Sequence, residues 1–159
     1  MKLVMKTSSE IVKQLEKGEE VFFIKELSDF QEFQGKYEEL SNHLGYTHNP
    51  VWAWDTYAGC KASNKLFTIC KNQDEFLYSD VLLLDVPQTL VTLTNFHLWE
   101  DYILDKHSDF NCIFDLEGTK LVQATFPSIK PEYVIKSEPI NNKPKEYNYL
   151  NELYKELCI

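Results

Sequence analysis

The chain contains no arginine; all 16 of its basic residues are lysine. The planar guanidinium fork that grips a phosphate or carboxylate at two points is therefore unavailable to it. Against those lysines stand 25 acids, for a net charge of −9. A chain with this balance has no basic patch with which to displace counterions from nucleic acid, so direct nucleic-acid binding is not expected. Glycine is scarce, with five residues and none clustered, which excludes a glycine-rich phosphate loop. The four cysteines (Cys60, Cys70, Cys112 and Cys158) are widely spaced, and no histidine stands at ligand spacing from any of them. They read as small hydrophobes in a reduced, cytoplasmic compartment. The longest apolar run, Val81 to Leu84, is far shorter than the roughly 20 residues of a membrane span. Met1 to Met5 is too short and too charged for a signal peptide. The expectation is a cytoplasmic protein with no membrane segment and no metal.

What is present suffices for a folded core. At 159 residues, 43% hydrophobic and 14% aromatic, the chain is long enough for one self-supporting domain. The acids are not spread evenly. From Asn72 to Glu117 ten carboxylates face one lysine, Lys106, so this segment carries the whole net charge. Such a segment is either a solvated face or an electronegative surface that meets a basic protein partner. Glu100, Asp101, Asp105 and Asp109 are the candidate partner-binding residues, in an inhibitor-like or antitoxin-like role.

The order of elements points to an α+β class, with a mixed, mainly antiparallel sheet and flanking helices. Lys2 to Lys6 reads as a strand. Thr7-Ser8-Ser9-Glu10 reads as a capping box for a helix ending at Gly18. Val21 to Lys25 reads as extended. A second capping box, Ser28 to Gln31, opens a helix with Phe30, Phe33, Tyr37, Leu40 and Leu44 on one stripe, ending at Gly45. Pro50 leads into an aromatic strand, Val51 to Tyr57, and Lys65 to Cys70 is a further strand. Val81 to Val86, apolar on consecutive residues, reads as a central strand buried on both faces. Thr94 or Asn95 caps a helix whose Phe96, Trp99, Ile103 and Leu104 face inward. Phe110 to Phe114, Leu121 to Phe126 and Tyr133 to Ile135 read as strands. Residues 1–137 form the domain, and residues 138–159 a linker and an amphipathic C-terminal helix.

Three of these stretches carry a family resemblance. Pro50-Val51-Trp52-Ala53-Trp54 is similar to a Pro-Ile-Trp-Ala-Trp signature. Val81 to Asn95 resembles a strand, proline and Leu-Leu-Ser-Asp pattern leading into a tryptophan-containing helix at Trp99. Ile113 to Leu116, Val122 to Phe126, Ile129 and Val134 resemble the closing pattern. Together they resemble a prokaryotic and phage family known as domain of unknown function 3841, over most of residues 1–137. Val4 stands where members usually have an aromatic residue and Glu100 where they often have histidine. Ile103-Leu104-Asp105 replaces the usual helix ending.

More distantly, Gln123-Ala124-Thr125-Phe126 followed by Pro131-Glu132-Tyr133-Val134 resembles the last conserved strand of ADP-ribosyltransferase-like folds. The resemblance implies a nucleotide or NAD site, with Thr125 where that pattern has its glutamate. It also implies loss of the standard catalytic residues, because the chain has no arginine and its first strand no histidine. No catalytic residue is assigned.

Trp52 and Trp54, two residues apart, share one face of a strand. They are either a core centrepiece or a wall that stacks a flat ring. Asp55, Gln123 and Thr125 join them as candidate ligand-binding residues if the two strands are neighbours. His43 and His48 lie at a helix end, where a cation complements the dipole.

Overall fold

In the computed structural model, which describes residues 1–23, 33–55, 80–119 and 121–139, the N-terminal residues form β1 (Lys2–Thr7). Helix α1 (Ser9–Glu16) follows at once, and its apolar Val12 and Leu15 are buried. Its N-cap is Ser8, whose hydroxyl accepts the Ile11 N–H at 3.4 Å. Thr7, the residue read as opening a capping box, is the last residue of β1 and is buried. Helix α2 (Gln34–Leu44) starts at Phe33 without a side-chain cap. It ends at Gly45, which adopts the left-handed backbone (φ 74°) that costs a side-chain-bearing residue about 1 kcal/mol.

Pro50 is buried, and β2 (Val51–Trp54) begins immediately after it. The apolar run becomes β3 (Asp80–Asp85), with Val81 to Leu84 all buried, as expected of a strand covered on both faces. After a 3-10 turn at Gln88–Leu90, β4 (Thr92–Asn95) runs directly into helix α3 (Phe96–Ile103). The last two strands among the described residues are β5 (Val122–Phe126) and β6 (Val134–Pro139).

The described strands make one six-stranded sheet in the order β4-β5-β2-β1-β3-β6, and every named pairing is antiparallel. With the three α-helices among the described residues, the domain is α+β. No helix among the described residues is long and apolar enough to cross a membrane. One face of the sheet, with Leu3, Met5, Val51, Ala53, Leu82, Leu84, Ala124 and Phe126, packs against α1, Val21, Ile129 and Tyr133. A second core forms where α2 and α3 meet: Leu40, Trp99, Tyr102 and Ile113, with Tyr37 and Trp52 against them.

Several expectations need correction. Phe110–Phe114 is a 3-10 turn, not a strand. Asp109 starts it by accepting the Asn111 N–H at 3.0 Å. Phe110, Ile113 and Phe114 stand at i, i+3 and i+4, the spacing of a helical face, and all three join the second core. Leu104 is 46% exposed rather than inward, because α3 ends at Ile103 and Tyr102 takes the inner position. The strand expected at Tyr133 begins at Val134, since Pro131–Tyr133 forms a 3-10 turn. Of Val21 to Lys25 only isolated bridges are described, Val21 to Ile129 and Phe23 to Asn49. Phe30, the capping box at Ser28 to Gln31, the strand at Lys65 to Cys70 and the C-terminal helix lie outside the described residues.

Asn95 joins two elements. Its Oδ1 accepts the Leu98 N–H at 3.3 Å, and its Nδ2 donates to the Asp115 carbonyl at 2.9 Å. Asn95→Ala should cost about 2 kcal/mol, from the lost cap and the orphaned carbonyl, measured by urea unfolding. Asn95→Asp should recover only the part due to the cap.

Candidate functional site

The aromatic strand and the closing strand are neighbours. Register sets Trp52 opposite Thr125 and Trp54 opposite Gln123, so these four side chains share one face of the β2–β5 pair. Asp55 follows the end of β2 and is partly buried.

This face is covered rather than open. The Trp52 ring lies 5.1 Å from Trp99 and meets the edge of Tyr37 at 6.2 Å, centroid to centroid. Trp54 sits 5.3 Å from Phe96. Thr125 is fully buried, and its hydroxyl donates to the Thr92 carbonyl at 3.1 Å. The Thr94 hydroxyl donates to the Gln123 carbonyl at 3.4 Å. Tyr46 closes the same end, its phenol donating to the Thr125 carbonyl at 3.5 Å. Burial pushes the Tyr46 phenol above its ordinary pKa, against the opposing effect of its hydrogen bonds at Thr125 and Thr92. Among the described residues two buried polar atoms here have no hydrogen-bond partner, Trp52 Nε1 and Gln123 Oε1. One is a donor and one an acceptor.

The acidic residues form a second candidate surface along α3 and the turn beyond it. Glu100 and Asp101 lie within α3 and are part-buried, while Asp105 and Asp109 are exposed. Asp105 is not on the helix: it lies beyond Ile103 with a left-handed φ of 57°. Asp101 and Asp105 therefore do not share a helix face. Asp101 faces Lys106 Nζ at 3.7 Å and His107 Nε2 at 4.0 Å. Asp105 pairs with Lys36 of α2 at 2.9 Å. That ion pair raises the Lys36 pKa, and the ammonium also stands 4.1 Å from the centre of the Tyr102 ring. The Tyr102 phenol donates to the Glu39 carboxylate. Burial first, and that hydrogen bond second, raise its pKa. Asp115 and Glu117 extend the acidic surface and are exposed.

Lys36, Glu39 and Tyr46 were not singled out from the sequence. Nothing in local spacing marks them, because their partners lie far along the chain. His43 at the end of α2 stacks on Phe114 at 5.3 Å and meets Phe110 edge-on at 5.1 Å, which gives it a packing role. Among the described residues no group of three or more His, Cys, Asp or Glu side chains is placed to hold a metal ion. Burial, the largest influence, raises the Cys112 thiol pKa, which disfavours the reactive thiolate. No family model, no curated protein and no solved structure matches the chain.

Proposed function

We propose that the protein acts by binding a basic protein partner through the acidic flank of α3 and the turn that follows. The observation that carries this reading is the run of exposed carboxylates at Asp105, Asp109, Asp115 and Glu117, with Glu100 and Asp101 half-exposed beside them. Lys106 is the only lysine in that stretch. The field of such a surface steers a cationic partner and is screened by salt. Because Asp101 and Asp105 already hold intramolecular ion pairs, Glu100, Asp115 and Glu117 are the better positions for charge reversal. A lysine-rich peptide should bind with an affinity that falls steeply as salt rises, and Glu100→Lys/Glu117→Lys should abolish it. Binding that is indifferent to salt or to that double reversal would sink the proposal.

A second reading has an observation of its own. The β2–β5 register gathers Trp52, Trp54, Gln123 and Thr125, and leaves one donor and one acceptor without partners. That supports a nucleotide or NAD site on an ADP-ribosyltransferase-like fold, within the domain of unknown function 3841 family. NAD or ADP-ribose at 100 times its dissociation constant should then stabilise the fold by about 2.7 kcal/mol, lost in Trp52→Ala. A flat melting curve across both ligands removes this reading and leaves the first untouched.

A further inference from the structure

Lys36 of α2 rests on a seat built for an ammonium group. Its Nζ stands 2.9 Å from an Asp105 carboxylate oxygen and 4.1 Å from the centre of the Tyr102 ring. The ring is itself fixed, because its phenol donates to the Glu39 carboxylate. Lys36 and Glu39 are three residues apart on α2, so they share a helix face. An aromatic face and a charge-assisted hydrogen bond to a carboxylate are what a compact cation is recognised by. The Asp105 hydrogen bond is the largest of the influences that raise the Lys36 pKa, and Glu39 adds to it. The two partners differ in exposure: the Lys36 side chain is 27% exposed and that of Asp105 82%. The carboxylate thus faces solvent while the ammonium lies on the ring. An exposed ion pair of this kind holds its members only weakly.

We propose that Lys36 is an internal competitor, which holds in the unbound protein the seat that a lysine of the basic partner takes in the complex. This rests on the reading of the acidic flank of α3 as the partner-binding surface. The partner's ammonium displaces Lys36 from Asp105 and the Tyr102 ring and makes the same contacts in its place. One ammonium is exchanged for another, so the contacts at the seat nearly cancel. The partner's apparent affinity is lowered by the fraction of molecules in which the seat is already filled. The consequence is selectivity. A lone cation gains little from the exchange, whereas a partner with several lysines also meets Glu100, Asp115 and Glu117 and displaces Lys36 with that added attraction.

Fluorescence anisotropy of a labelled lysine-rich peptide, titrated with the whole chain at one fixed salt concentration, tests this. The variants are Lys36→Met, Asp105→Asn and the two combined. Methionine keeps an unbranched stem over the ring and removes the charge. Asparagine removes the carboxylate and tolerates the left-handed φ of 57° at this position. A circular dichroism melt confirms that each variant is folded. Lys36→Met should tighten peptide binding about threefold to fivefold, the hold of an exposed ion pair. Most of that gain should disappear when Asp105→Asn is already present, because the seat no longer holds Lys36. A mere change in overall charge gives the same gain in both backgrounds, so the cycle isolates the seat. The proposal is overturned if Lys36→Met leaves the affinity unchanged, or if its gain is as large in the Asp105→Asn background. Salt-sensitive binding by wild type with no effect of Lys36→Met removes the competitor and leaves the acidic flank standing. No binding by wild type or any variant removes both.

Discussion

Phe126→Ala should lower the unfolding free energy by about 3–5 kcal/mol, read from the midpoint of a urea titration. Phe126 is among the largest fully buried side chains, and it pairs with Val51 at the start of β2. It belongs to the core cluster that also draws on β1, β3, α1 and Ile129. Removing its ring takes apolar surface out of that core and leaves a cavity that the sheet, hydrogen-bonded on both sides of β5, cannot close. Because domains of this size are stable by only about 5–15 kcal/mol, the variant should be partly unfolded near 37 °C. A loss below about 1 kcal/mol would mean that the strand does not anchor the core in this way.

Trp99→Ala carries the second large effect, again about 3–5 kcal/mol. Trp99 is 3% exposed and stands between Trp52 and Tyr37, with Tyr102 at 6.1 Å. It is the piece that holds α2, α3 and β2 together over the second face of the sheet. Its loss should loosen that layer, seen as a drop in near-ultraviolet circular dichroism, while the far-ultraviolet signal changes little at low temperature. The variant also separates the two readings of the indoles. If Trp52 is a core side chain, Trp99→Ala destabilises the protein as stated. If the indoles instead line an open ligand wall, Trp99→Ala should cost less than about 1 kcal/mol and affect ligand binding alone.

Some parts of the fold were legible because they depend on near neighbours. The unbroken run Val81 to Leu84 reads as a strand covered on both faces, and β3 lies inside the described sheet between β1 and β6. Gly45 ended its helix because the left-handed turn there favours a residue without a side chain. A cap at Thr94 or Asn95 was readable from their position before an amphipathic run, and the structure makes it Asn95. The stretch Phe110 to Phe114 was misread because apolar residues nearly adjacent in sequence satisfy strand and turn patterns alike. There the Asp109 carboxylate, bonded to the Asn111 N–H, tips the balance to the turn.

The candidate sites divide along the same line. That Trp52 and Trp54 share a face followed from their spacing, and that the middle segment is acidic followed from composition. Neither spacing nor composition determines what covers a face or which charges are already paired. Thr125 is opposite Trp52 because β5 returns beside β2 from a distant part of the chain. Trp99 then caps the indole from a helix made by another segment. Likewise Asp105 meets Lys36 only because α2 and the end of α3 converge. By itself the sequence determined the charge, the missing guanidinium chemistry, the class of fold and the local ends of several elements, all set by the residues' own chemistry and their near neighbours. The tertiary structure alone decided that Trp52 packs against Trp99 in a second core and that part of the acidic surface is internally neutralised, because both depend on contacts between segments far apart in the chain.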